Sequence, residues 1–241
     1  MIRLTDRPFT DDCAYSARIC ALHNTYKNAP FAFFWQQENG DEITAAIAKI
    51  DGDVTLFATE NADYEELAVF LETVGYSTVS CNEAVMKKLG FSDYSSSFLV
   101  EYKNPQTVSA DGIVRADYAA VYSLLKECDF SLPATLGDFL ADFAARCNHS
   151  AADYGCILEG DKLASTASAL FIGEKSVLLG AVATAKDCRG KGYAAKIVAA
   201  LADKYYLSGK RVYLFCREDS LEKFYTRIGF EVIGKWSVKE R

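Results

Sequence analysis

Residues 176–207 read SVLLGAVATAKDCRGKGYAAKIVAALADKYYL, and their order decides the fold. Ser176 to Ala183 is a short apolar run of the kind that forms a buried strand. A polar loop, Thr184 to Lys191, follows it. From Gly192 onward Tyr193, Ile197, Leu201 and Tyr205 recur near helical spacing, with Lys196, Asp203 and Lys204 between them. The loop delivers Arg189, Gly190, Lys191 and Gly192 to the start of that helix. Unpaired N–H groups at a helix start, aided by the helix dipole, suit a bound anion such as a pyrophosphate. Glycines let the backbone approach it closely. An adjacent arginine adds paired hydrogen bonds to phosphate oxygens.

Three phosphate-binding loops compete for this stretch. A Walker loop needs a first glycine where Ala185 stands, and Ser or Thr after the lysine where Gly192 stands. A dinucleotide loop is met in spacing by Gly190, Gly192 and Ala195. Its first glycine normally comes almost directly off the strand, whereas about seven residues intervene here, and one strand–helix–strand unit is visible. The third option fits without adjustment. Arg189-x-x-Gly192-x-Ala194, after the strand ending Ala181-Val182-Ala183-Thr184, resembles the acyl-coenzyme A pyrophosphate loop of the GNAT N-acetyltransferase superfamily. Downstream, residues 210–216 (KRVYLFC) read as a strand, followed by EDSLEKFYTRIGFEVIG. The pattern Tyr225-x-x-x-Gly229-Phe230 resembles the superfamily's last helix and turn. The resemblance spans Asp111 to Trp236.

That resemblance implies an α/β fold with a mixed sheet of the acyl-coenzyme A N-acyltransferase type, and acetyl-coenzyme A as acyl donor. It implies that the pantetheine arm lies along Val182, Ala183 and Thr184, added as a strand to an exposed edge. The pyrophosphate would be held by Arg189, Gly190, Lys191, Gly192, Tyr193 and Ala194. A bulge is expected near Ala181, its freed N–H facing the developing oxyanion. Tyr225, whose place in the motif is beside the thioester sulfur, would protonate the departing thiolate.

The general base is open. The strand 176–183 carries no carboxylate. Glu127, Glu218, Asp219 and a water path to solvent remain. Cys216 reads as a buried thiol and only secondarily as an acyl carrier. Cys188 reads first as a bystander and only secondarily as a thiol whose pKa the neighbouring Arg189 would lower. His149 sits where a helix end favours a capping cation.

The chain has 241 residues, enough for one large or two ordinary domains. Half of them are hydrophobic and 24% charged, as in a globular protein. No apolar run reaches membrane-spanning length, and MIRLTDRPF has no signal-peptide core. Eight cysteines are scattered with no CxxC pair, and two histidines accompany them. Neither a metal site nor a disulfide framework is indicated, and a reducing cytoplasm is the expectation. Net charge is −7, unevenly spread: residues 1–105 carry 8 basic against 16 acidic side chains, the remainder 18 against 17. Nothing in this pattern suggests a nucleic-acid or membrane partner. A solvated acidic face is the plain reading, and attraction of a cationic amine the sharper one.

The first half repeats the second. A helix over 9–25 is followed by strand patterns at 31–37, 43–50 and 54–58, with helix also open for the alanine-rich middle one. Helix 64–73 and strand 76–81 come next. Then CNEAVMKKLGF (81–91) aligns without a gap on SLEKFYTRIGF (220–230). Gly90-Phe91 falls on Gly229-Phe230, and Met86 on Tyr225. The second half restarts after a polar linker, 103–112, with helices 117–126 and 136–146 and strands 154–158 and 163–171. Phe130, Leu132, Phe139 and Phe143 are candidates for an acceptor pocket, the Phe139–Phe143 pair reading first as core.

The expected organisation is therefore two tandem copies: residues 1–105, degenerate and without a pyrophosphate loop, and residues 106–241, the acetyltransferase domain. Met86 cannot act as an acid, and Glu60 and Asp63 would repel a phosphate. The leading expectation is N-acetylation of a primary amine on a small molecule or peptide. The alternatives are a non-catalytic acyl-coenzyme A sensor or scaffold and, third, a nicotinamide enzyme using Gly190, Gly192 and Ala195.

Overall fold

The computed structural model describes residues 1–5, 13–216 and 219–241. Its elements in chain order are β1 (Ile2–Leu4), α1 (Ala14–Tyr26), β2 (Ala32–Asn39), β3 (Glu42–Ile50), β4 (Asp53–Ala58), α2 (Tyr64–Val74), β5 (Thr78–Asn82), α3 (Glu83–Lys88) and β6 (Ser95–Tyr102). The second half supplies α4 (Tyr118–Glu127), α5 (Leu136–Asn148), β7 (Asp153–Glu159), β8 (Lys162–Ile172), β9 (Ser176–Thr184), α6 (Tyr193–Leu207), β10 (Arg211–Cys216), α7 (Asp219–Arg227) and β11 (Phe230–Glu240). The start expected for the first helix, with Asp11 and Asp12, lies outside the described residues.

The strands join in one eleven-stranded sheet, ordered β1-β2-β3-β4-β5-β11-β6-β10-β9-β8-β7. Each half contributes an antiparallel meander, β2-β3-β4 and β7-β8-β9, then a parallel neighbour, β5 beside β4 and β10 beside β9. The order is symmetric about the β11–β6 pair. Even β1, antiparallel to β2, has a counterpart in the bridge between Val114 and Cys156 of β7. The internal repeat seen in eleven residues of sequence is thus a repeat of the whole topology.

The last strands are exchanged. β6 follows the first half along the chain, yet pairs with β10, Cys216 opposite Phe98. β11 ends the second half, yet pairs with β5, Trp236 opposite Asn82. Between them β6 and β11 pair antiparallel from Phe230–Tyr102 to Val238–Ser95. The sheet therefore runs unbroken past residue 105, and each half's parallel pair is flanked by the other half's final strand.

β3 is a strand despite its alanines. Turns at Gly40 and Asp51 fold it between β2 and β4, and Ala45, Ala46 and Ala48 are buried. Pairing on both edges overrides alanine's helical preference. Alternation along β9 and β10 splits the core in two. Val177, Leu179, Val212 and Leu214 pack with Ile197, Val198 and Leu201 of α6. Leu178 and Tyr213 face the other way, with Ala14 and Tyr15 of α1 and Trp236 of β11. α1 thus bridges the halves, touching β3 and β4 as well as β8, β9 and β10. Phe139 and Phe143 are buried and stacked on each other, a core role.

Candidate active site

The site begins where two parallel strands part. β9 and β10 are paired from Ser176–Arg211 to Leu179–Leu214, and not beyond. At that point β9 also slips against β8. Ser168 pairs with Gly180 but Thr166 with Ala183, so one extra residue sits in β9. Ala181 takes up the strain at φ +49°, the left-handed region that side chains other than glycine avoid. This is the bulge expected at Ala181. β4 keeps a continuous register with β3, so the corresponding strand of the first half has no such bulge.

Past the opening, Val182 packs on the α6 side and Ala183 on the α4–α5 side. The Thr184 carbonyl accepts from Arg189 Nε at 3.3 Å, and the Thr184 hydroxyl meets Ser165 Oγ at 2.9 Å. A short 3-10 turn, Lys186–Cys188, then leads to Arg189 and into α6. Gly190 and Gly192 adopt φ +78° and +80°, which an L side chain reaches only with strain. A Cβ at either would meet nothing within 4 Å, so the backbone there is open to close approach. Gly192 begins α6 with no side-chain cap. The helix therefore presents its first N–H groups, at Tyr193 and Ala194 among them, without a competing oxygen of its own. Lys191 Nζ bonds both carboxylate oxygens of Glu159, at 2.6 and 2.8 Å, so what it offers an anion directly is its backbone N–H.

The first half solves the same helix start differently. Asp63 caps α2, its carboxylate accepting from the Glu66 N–H at 2.9 Å. Gln37 grips the Asp63 backbone from both sides, accepting from its N–H and donating to its carbonyl. The N–H groups that α6 leaves open are, at the start of α2, met by the chain's own carboxylate. A depression of about 510 Å³ runs along this helix, lined by Asp63, Glu65 and Glu66 among others, far from the β9–β10 opening.

Tyr225 of α7 is buried, in one cluster with Cys216 at the end of β10 and edge-on to Phe224 and Phe230. Among the described residues its hydroxyl makes no hydrogen bond. Burial, with Cys216 adding to it, pushes the phenol above its ordinary pKa, so it stays protonated at neutral pH. Met86 of the first half is equally buried, in that half's own core.

The remaining sequence candidates separate. Glu127 lines a groove of about 290 Å³ with Cys128, Lys162, Ala185, Lys186 and Asp187, beside the loop that leaves β9. Glu218 and the side chain of Asp219 lie outside the described residues. Cys188 is corrected: its thiol donates to Glu159 at 3.1 Å, and that bond, with burial and the charge of Asp187, raises its pKa where a neighbouring arginine had suggested lowering. His149 ends α5, its Nδ1 2.8 Å from the Ala145 carbonyl, a capping role. Sequence reasoning missed Tyr15 and Trp236. They stack at 5.1 Å, and Trp236 packs on Phe215 at 3.7 Å, next to the opening on the α1 side. Two residues from distant ends of the chain carry no local signal of meeting there.

Strand opening, bulge and uncapped glycine-rich helix start define a GNAT-type acyl-coenzyme A fold. Residues 118–230 match the acetyltransferase (GNAT) family. That match places a GNAT acetyltransferase domain within the second half of the chain. Solved structures extend the likeness over the whole chain. A GNAT-family acetyltransferase from Colwellia psychrerythraea superposes with TM-score 0.60 at 10% identity, covering 100% of both chains. A tandem GNAT protein from the clavulanic acid biosynthesis pathway gives 0.59 at 14%, covering 97% of this chain and 90% of its own. A GCN5-related N-acetyltransferase from Sphaerobacter thermophilus gives 0.57 at 15%, covering 96% and 87%. At these identities the likeness is one of fold, and the fold is the tandem one. No curated protein matches the chain in sequence. No helix among the described residues is long and apolar enough to cross a membrane.

Proposed function

We propose that the protein transfers an acetyl group from acetyl-coenzyme A to a primary amine of a small molecule or peptide. The observation that carries this reading is the β9–β10 opening, which runs from the Leu179–Leu214 pair into the uncapped start of α6. The pantetheine arm lies along Val182, Ala183 and Thr184. The pyrophosphate sits on Arg189, Gly190, Lys191, Gly192, Tyr193 and Ala194. The amine attacks the thioester carbonyl directly, the N–H at Ala181 stabilises the oxyanion, and Tyr225 gives its proton to the leaving thiolate. Residues 106–241 do this work. Residues 1–105 form a copy that has lost coenzyme binding, a reading supported by the Asp63 cap. Eight cysteines outside any disulfide support a reducing compartment, the cytoplasm.

A second reading, a coenzyme-binding sensor that transfers nothing, is favoured by two observations: β9 carries no carboxylate to serve as base, and Tyr225 is deeply buried. Thermal unfolding with acetyl-coenzyme A, coenzyme A and NADH added separately tests the common part. At a hundred times its dissociation constant a ligand stabilises by about 2.7 kcal/mol, or roughly 5–10 °C here. Both coenzyme A species should raise the midpoint, and Arg189→Ala should abolish the rise. A rise with NADH alone defeats both readings. Acyl loss across an amine panel then separates transferase from sensor.

A further inference from the structure

A second bulge lies beside the first. β8 and β9 pair Ala169 with Leu179, then Phe171 with Leu178, so Leu170 is the extra residue, this time in β8. A bulge turns two successive side chains to one face. Here Leu170 and Phe171 both face the α1–α5 side, Leu170 packing against the cluster of α4 and α5 and Phe171 against that of α1. On β9, Gly180 is the first residue beyond the last β9–β10 pair. A Cβ built on Gly180 would lie 2.6 Å from Leu170 Cδ1. The dent that glycine leaves at the mouth of the opening is therefore filled by the Leu170 side chain.

The bulge is held from behind. Arg146 of α5 donates from Nη1 to the Leu170 carbonyl at 2.9 Å. Its other arm pairs with Asp142, and its guanidinium lies over the rings of Phe143 and Phe171. Asp142 in turn accepts from Tyr26 at the end of α1. A buried arginine fixed on three sides gives the bulged carbonyl a partner that the sheet does not supply, and a floor so braced yields little.

We propose that Leu170 sets the acyl length this site accepts: braced by Arg146, it closes the space over Gly180 into which the acyl chain beyond the carbonyl projects. This rests on the reading of the β9–β10 opening as the coenzyme site. An acetyl group fits beside Leu170, and each further methylene meets its Cδ atoms. Arg146 acts as a positioning residue, since it touches the bulge and not the reacting atoms.

The test needs no acceptor. Dissociation constants of coenzyme A, acetyl-coenzyme A and butyryl-coenzyme A are measured by calorimetry on the full chain, for wild type, Leu170→Ala and Leu170→Phe. Wild type should bind butyryl-coenzyme A more weakly than acetyl-coenzyme A by about tenfold or more. Leu170→Ala should bring the two within about twofold of each other, since room to bury two methylenes is worth about tenfold and cancels the wild-type penalty. Leu170→Phe should weaken acetyl-coenzyme A while leaving free coenzyme A unchanged, which also shows that the variant is folded. A butyryl penalty of the same size in wild type and Leu170→Ala, or none in wild type, overturns the assignment of Leu170 and leaves the coenzyme site standing. Failure of free coenzyme A to bind wild type overturns the coenzyme site itself.

Discussion

The hydroxyl of Tyr102 donates a 2.7 Å hydrogen bond to Oδ1 of Asp203. Tyr102 ends β6, and Asp203 lies in α6. The same carboxylate accepts from the N–H groups of Gln106 at 3.1 Å and Val108 at 2.7 Å, so the connection between the halves is stitched to the helix that begins at the glycine loop. Asp203→Ala leaves the Tyr102 hydroxyl and the Val108 N–H facing a gap, while the Gln106 N–H keeps the Tyr102 oxygen as acceptor at 2.8 Å. It should cost about 2–4 kcal/mol and lower the unfolding midpoint by roughly 5–15 °C. A midpoint equal to that of wild type would mean that water replaces the carboxylate without loss.

Tyr225→Phe keeps the ring packing on Phe224 and Phe230 and removes the proton donor. Turnover should fall at least about tenfold, within the usual range for loss of a general acid, with acetyl-coenzyme A affinity changed less than about twofold. Steady-state rates with calorimetric affinities decide it. Unchanged turnover removes Tyr225 from the chemistry.

Arg189→Ala removes a cation tethered through Nε to the Thr184 carbonyl. Gly192→Ala places a side chain at φ +80°. The first should weaken coenzyme A binding about tenfold or more and flatten its dependence on salt. The second should cost about 1 kcal/mol of stability and weaken binding as well. Titration at two ionic strengths reads both. Equal affinity in Arg189→Ala means that the pyrophosphate lies elsewhere.

Asp153 carries a pH dependence. Its burial would raise the carboxyl pKa, but the bond and charge of Lys204, the charge of Arg115 and the Tyr154 N–H outweigh it and hold the group below the ordinary aspartate range. A carboxyl depressed on folding stabilises fully above its unfolded value, about pH 4, and that contribution is lost as pH falls through the folded value. Asp153→Asn should therefore cost about 1–3 kcal/mol at pH 7, and less near pH 3, below the unfolded value. Urea unfolding at both pH values measures it. A cost that does not depend on pH would assign the role of Asp153 to shape alone.

The glycine loop was legible because only a few backbone geometries need Arg, Gly, Lys and Gly in that order, and the repeat because Gly90-Phe91 and Gly229-Phe230 end matching segments. Strand partners were not. Residues 95–102 and 230–240 alternate in the same way, and nothing in either says whose sheet it joins. Asp203 stands in the sequence only as a charge between Leu201 and Tyr205, because its three donors come from β6 and the linker, about a hundred residues earlier in the chain. Leu170 was one apolar residue in an apolar strand. Its position depends on a one-residue slip, and a slip has no signature in composition.

The exchange of final strands constrains how such a chain can change. Asp63 caps the first half's helix start, and on the proposed function that half has no coenzyme chemistry to keep. It is not free to disappear. Deleting residues 1–105 would strip β10 of β6, the strand laid along its outer edge, and leave β11 without β5. The first half is scaffold for the second, and its sequence is held to what its neighbour's sheet requires.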